Sequence, residues 1–391
     1  MIPAGAASRP SAARRPRGLI VMGVLVVATA LGAAWLPAVP GVLIAFGRFA
    51  PMWADRVEIP YTGEGLNAFV AVSKTRTGVL SYHNSGKVQA GSEGADMRLQ
   101  RMLGHFSHLV PDSPKDVLVV GLGAGVTAGA VAIAPSVEHV TIVEIEPLVP
   151  KAVAAYFGDY NSHVVDDPKV TIRVDDGRHY LLTTDRMFDV ITSDPLDPWI
   201  KGAATLFTEE FFQTIRRHLN PGGVVTQFVQ LYGSNREAVK SEIGTFIKVF
   251  PHTLVFGNLT EGRGYDLVLV GRAEPLTIDV DRLQARLDDP AFARVTSSLR
   301  DIGVTSAVDL LASFGAASGD LEPWLRDATI NTDRNLRLQY LAGLTLNANQ
   351  SAGIYAEILG YQRFPSDILR GSPVVLQQLR ERLARASGHG S

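Results

Sequence analysis

Five short apolar runs, at 117–120, 140–143, 170–174, 188–192 and 224–228, recur through the middle of the chain with helix-like stretches between them. A parallel strand pair cannot be closed by a tight turn, and both faces of a parallel sheet must be covered. The alternation therefore predicts strands joined by crossover helices at 126–134, 147–157 and 208–219. Thr208, followed by Glu209 and Glu210, is an expected N-cap, and Ser234 with Glu237 reads as a capping box. Two further runs, 253–256 and 266–270, have little between them but a Gly-rich turn, so they are expected to pair antiparallel. The result is a doubly wound seven-stranded α/β sheet with its last strand reversed.

On either side of this core the pattern changes. Residues 56–91 read as short strands with turns at 62–65 and 77–78, a small β-domain, and 92–109 as a helix that opens the large α/β domain at 92–272. A helical extension at 273–391 ends in a basic tail. The N-terminus is different again: residues 1–17 form a basic flank with Arg9, Arg14, Arg15 and Arg17, and Gly18 to Leu36 is nineteen residues without a charge. That run is long enough to cross a hydrocarbon core of about 30 Å. We expect residues 18–50 to form a transmembrane or re-entrant segment, Trp35 serving as an interfacial anchor; a cleaved signal peptide and a buried core helix are the other readings of the same run. The basic flank favours a catalytic domain outside, whereas Pro37, Pro40 and the run 42–46 permit a hairpin returning the chain to the cytoplasm.

Composition removes several functions. Thirty-seven Lys and Arg against thirty-nine Asp and Glu give a net charge of −2 with no basic stripe, so nucleic acid is not an expected partner. Without cysteine there is no disulfide, thiolate site or thiol nucleophile, and the nine histidines lack metal-site spacing, so no metal is expected.

The acidic residues at the strand ends carry the chemistry. In "DVLVVGLGAGVTAGA" a strand runs into Gly121, Gly123 and Gly125 and then a small-residue helix, a turn that lets a ligand approach the main chain. Val126 stands where the dinucleotide fingerprint wants glycine or alanine, which favours an adenosyl-sulfonium ligand. Glu144 ends the next strand, where a carboxylate accepts both ribose hydroxyls. Asp175 and Asp176 end the third, and Asp176 with Gly177 suits an adenine amino group. Each acid alone also reads as a turn or cap residue. The fourth strand ends in "FDVITSDPLDPW", whose Asp194 and Asp197, each followed by proline, can hold a cationic amine and take its proton.

These segments, with "SGKVQ", "RLQRMLGHF", "IVEIEP", "VDDGRHYL", "ATLFTEEFF", "LNPGGVVTQFVQLY" and "INTDRNLRLQYL", resemble the spermidine/spermine synthase family, especially bacterial members with a membrane-embedded N-terminal part. The resemblance runs from about residue 64 to 340. It implies a class I methyltransferase-like fold and transfer of an aminopropyl group from decarboxylated or intact S-adenosylmethionine to a putrescine-like amine, with release of methylthioadenosine. It further implies that Gln89, the glycine turn, Glu144, Asp176 and Gly177 bind the nucleoside, that Asp194 deprotonates the amine, and that a homodimer is compatible. Three positions depart from the family pattern: Ala124 stands in place of an aspartate that holds the donor amine, Leu99 in place of a tyrosine, and Ser85 in place of an aspartate. A methyltransferase and a non-catalytic, membrane-bound nucleoside sensor are the alternatives.

Overall fold

The computed structural model describes residues 15–35, 39–260, 263–344 and 350–386. The chain divides into two compact units at Pro40 and Gly41. In the first, an α-helix spans Arg15–Ala34, and its described side chains, such as Leu19 at 64% and Val26 at 63%, are exposed. Among the described residues no helix is long and apolar enough to cross a membrane, so the expected transmembrane segment is not found among them. Arg9, Arg14 and Pro37 lie outside the described residues.

The second unit begins with a correction. The apolar run at 42–46, expected in a membrane segment reaching residue 50, forms the helix Gly41–Phe46 and packs into the folded body. Ala45, Phe46 and Ala50 cluster with Ala71, and Phe46 stacks on Trp53 at 5.0 Å. They cover a four-stranded antiparallel sheet in the order β1 (Val57–Glu64), β2 (Phe69–Thr75), β3 (Leu80–Asn84) and β4 (Lys87–Gly91).

The helix Gly94–Leu109 leads from this sheet into the large one. There the strands are β5 (Asp116–Val120), β6 (His139–Glu144), β7 (Val170–Val174), β8 (Phe188–Ser193), β9 (Leu219–Gln230), β10 (His252–Thr260) and β11 (Arg263–Arg272). β5 pairs parallel with both β6 and β8, β6 with β7 and β8 with β9, while β11 runs antiparallel to β9 and to β10. Valines and isoleucines serve both faces because successive side chains alternate. Val117, Val119, Ile142 and Val190 enter one core, and Leu118, Val120, Val143 and Ile191 the other.

Two local expectations change. The sheet has eight strands, not seven, because β13 (Phe314–Ala317) pairs antiparallel with β10 at the edge. Four residues reading Phe-Gly-Ala-Ala carry no alternation to announce a strand. A short parallel pair, β12 (Ile278–Asp279) with β14 (Leu369–Arg370), also joins two parts of the C-terminal extension. The Arg236–Val249 helix is capped by Asn235, whose side chain accepts from the Ala238 amide at 2.8 Å, one residue after the expected Ser234. Thr208 caps its helix as expected, accepting from the Phe211 amide.

β5 continues to β6 and β7 on one side, whereas β8 and β9 lie on the other. The order reverses between β5 and β8, and in open α/β sheets a ligand crevice forms outside the strand ends at such a switch point.

Candidate functional site

A cavity of about 380 Å³ lies there, bounded by the strand ends, the small sheet and the loop after β8. Gln89, Gly121, Gly123, Glu144, Asp176, Gly177, Asp194 and Asp197 all line it.

The end at the glycine turn is set by backbone geometry. After Val120 the chain enters the left-handed region, with φ +87° at Gly121, a conformation that side chains resist. A Cβ at Gly121 would also meet the Asp194 carbonyl at 3.3 Å. The buried Glu144 carboxylate braces this turn, accepting from the Leu122 amide at 2.9 Å and the Glu146 amide at 2.9 Å. Burial raises its pKa, against those backbone hydrogen bonds. Gly125 falls outside the lining. It sits at φ +79° as N-cap of the helix Val126–Ala132, and a Cβ there would press on Asn161 Nδ2 at 2.8 Å, so its glycine serves packing.

Asp176 caps the helix Gly177–Thr183, accepting from the His179 amide at 2.9 Å, so it is both a cap and a cavity residue. Its neighbour Asp175 binds His179 Nδ1 at 2.8 Å and does not line the cavity. Gln89 Nε2 is buried and has no hydrogen-bond partner. An unpartnered buried amide costs free energy and fits a ligand acceptor.

The opposite end is a group of acids. Asp194 accepts from Thr127 Oγ1 at 3.0 Å, and burial pushes its pKa up to about 6 despite that bond. Asp96, in the first turn of the Gly94–Leu109 helix, is likewise pushed up to about 6, by burial first and then by the charges of Glu93 and Asp194. Asp266 on β11 is held well above the carboxylate range by burial and by Asp96. Asp197 is also raised by burial, while the Lys87 ammonium pulls it back. Lys87 forms an ion pair with Asp197 and lies 4.5 Å from the centre of the Trp199 ring and 5.1 Å from that of Tyr232. The Tyr232 hydroxyl reaches Asp197 Oδ1 at 3.5 Å.

A roof closes the acid end. The lining includes Pro195, Leu196, Ile200, Ala203 and Leu206 from the loop after β8. Buried Asn331, far along the C-terminal extension, clasps this loop: its Nδ2 donates to the Ala204 and Phe207 carbonyls at 3.0 and 3.1 Å, and its Oδ1 accepts from the Leu338 amide at 3.1 Å. Two residues on, Asp333 pairs with Arg178, on the helix that Asp176 caps.

Sequence reasoning did not single out Asp96, Lys87, Tyr232 or Asp266. Asp96 resembles an ordinary helix N-terminal acid and Asp266 a polar start to an apolar strand; only the latter, charged yet next to 267–270, carries a signal. Of the three departures, Ser85 (φ +50°) and Leu99 line the cavity, and Ala124 is buried outside it, its carbonyl accepting from Asn161 Nδ2 at 3.0 Å. Among the described residues no group of three or more His, Asp or Glu is placed to hold a metal ion.

Parts of the chain resemble known proteins. Residues 96–256 match the spermine/spermidine synthase domain. The chain is 36% identical over 147 residues to the polyamine aminopropyltransferase of Pseudomonas syringae pv. tomato, covering 36% of this chain and 51% of that protein. It is 34% identical over 156 residues to polyamine aminopropyltransferase 1 of Pseudomonas aeruginosa, covering 39% and 54%. The chain thus spans about half the length of the curated relatives it matches. In fold it is similar to a spermidine synthase crystallised with the transition-state analogue AdoDATO (TM-score 0.55, 23% identity, 69% of this chain and 88% of that one). It is similar also to the spermidine synthase of Thermotoga maritima (TM-score 0.51, 22% identity, 69% and 88%).

Proposed function

We propose, from the premise that residues 96–256 are a spermine/spermidine synthase domain, that the cavity transfers an aminopropyl group from decarboxylated S-adenosylmethionine to an amine. The observation that carries this reading is the pairing, in one cavity, of an end lined by Glu144, Asp176 and unpartnered Gln89 Nε2 with an acid end holding Asp194. Glu144 would take the ribose hydroxyls and Asp176 with Gly177 the adenine edge. The amine lone pair attacks the methylene carbon bound to the sulfonium, the carbon–sulfur bond breaks, and its electron pair returns to sulfur, leaving neutral methylthioadenosine. The proton lost by nitrogen passes to Asp194, an acceptor whose pKa of about 6 keeps it ionised at neutral pH yet basic enough to help. The positive sulfur is already a good leaving group, so alignment and deprotonation are the protein's tasks.

Purified protein incubated with decarboxylated or intact S-adenosylmethionine and an amine panel, with products read by mass spectrometry, tests the reading. Methylthioadenosine with an amine heavier by one aminopropyl group is expected; S-adenosylhomocysteine and a methylated amine would replace it with methyl transfer.

The Arg15–Ala34 helix, which exposes apolar side chains on every face, supports a further proposal of membrane association, since such a surface is unfavourable in water. A donor made in the cytosol argues for the catalytic part on the cytoplasmic side. Protease added to intact cells should leave residues 56–391 uncut, and digestion from outside would overturn that side. A homodimer is proposed with it, and sedimentation in mild detergent checks the mass.

A further inference from the structure

The acid end contains its own cation. Lys87 opens β4, and its side chain is 34% exposed, but the carboxylate it pairs with, Asp197, is 1% exposed. Trp199 and Tyr232 present ring faces to the same ammonium. A carboxylate flanked by aromatic faces is the chemistry that recognises an alkylammonium, and here that cage is filled by a side chain of the protein itself.

The remaining acids have other work. An aminopropyl donor brings a terminal ammonium and a sulfonium, which Asp96 can face. Asp194 must stay free to accept the proton, and Asp266, buried on β11, accepts from Asn258 Nδ2 at 3.5 Å. Glu144 and Asp176 belong to the nucleoside end. Among the described carboxylates lining the cavity, the one beside the Trp199 and Tyr232 rings is Asp197, and Lys87 already pairs with it. Apolar lining is available in its stead, from Leu99, Leu196, Ile200, Leu206 and Phe228.

We infer, on the footing of the aminopropyl-transfer reading, that Lys87 occupies the place of the acceptor's far ammonium, so that this enzyme uses monoamines with an apolar tail in preference to α,ω-diamines. Lys87 is then a specificity-determining residue: its charge neutralises Asp197 and repels a second cation, while its four-carbon stem fills the diamine's path.

The test compares two acceptors of equal length, n-butylamine and 1,4-diaminobutane, with decarboxylated S-adenosylmethionine and the full chain. Methylthioadenosine release gives kcat/KM for each. The native enzyme should prefer butylamine by about tenfold or more, the loss expected when a desolvated ammonium lacks its cage. Lys87→Met should reverse the preference, and Lys87→Arg, which keeps the charge, should retain it. If Lys87→Met does not fold, Lys87→Gln makes the same comparison. Methylthioadenosine release with a native preference for diaminobutane, or with a ratio that Lys87→Met leaves unchanged, overturns the inference and leaves aminopropyl transfer standing. No methylthioadenosine with any amine, from native or variant protein, brings down the transfer reading and this inference together.

Discussion

The two ends of the cavity are built by different means. At the end formed by the glycine turn, Glu144 and Asp176 come from the ends of neighbouring strands, and main-chain amides fix them: Glu144 is held by the Leu122 and Glu146 amides and Asp176 by that of His179. At the acid end, Asp96, Asp194, Asp197, Tyr232 and Asp266 line the cavity from a bridging helix, two loops and the reversed part of the large sheet, and Lys87 of the small sheet pairs with Asp197. The first end has a shape that the sheet order dictates. The second is an electrostatic device whose burial raises every acid in it, and such a device can be retuned one side chain at a time without disturbing the strands.

Four changes would break or sharpen that contrast. Asp194→Asn keeps the shape but cannot accept a proton, so kcat should fall by about 10²–10⁴ while methylthioadenosine affinity stays within a few-fold. Unaltered turnover would remove Asp194 from the reaction. Glu144→Gln should do the converse, weakening methylthioadenosine by about 10- to 150-fold, the equivalent of losing hydrogen bonds to a charged group. Calorimetric titration reads this directly, and equal affinity would dissociate Glu144 from the nucleoside.

Asp96→Asn probes the strain of the acid end. A carboxyl raised from 3.8 to about 6 in the folded protein favours the fold fully below pH 3.8 and loses that contribution as pH rises through 6. The variant should therefore melt about 2–4 °C higher than the native protein at pH 8, with the gain disappearing by about pH 4. A Tm difference independent of pH would show that Asp96 is not strained. Smallest of all, Thr127→Val removes one neutral donor from Asp194 and should move the acid limb of the kcat profile, which rises through about pH 6, upward by about half a unit.

The same contrast explains what could be read from the residues. The parallel strands were legible because valine and isoleucine runs covered on both faces leave no other arrangement, and Glu144, Asp176 and Asp194 followed because each ends such a run. Gly125, expected at the ligand, lies outside the cavity lining against Asn161, because a left-handed glycine looks the same in sequence whether it faces a cavity or a packed side chain. The run at 42–46 looked membranous since nothing local reveals that Ala71 and Trp53 will cover it. Lys87 stayed hidden for a related reason: its partner, Asp197, is 110 residues away, and pairing at that distance leaves no periodic mark.

The Asn331 clasp has a consequence for how the protein is made. Its bonds to Ala204 and Phe207 span 127 and 124 residues, and the Arg178–Asp333 pair spans 155. Contacts so distant in sequence form late, after the loop-closure cost has been met by earlier local ones. On a ribosome the strands up to β9 emerge more than 100 residues before Asn331, so the parallel strands, with Asp194 and Asp197, can assemble while the roof has no fastening. The nascent chain thus passes through a stage in which the acid end of the cavity has no roof, and that end closes only when the 331–338 stretch leaves the exit tunnel.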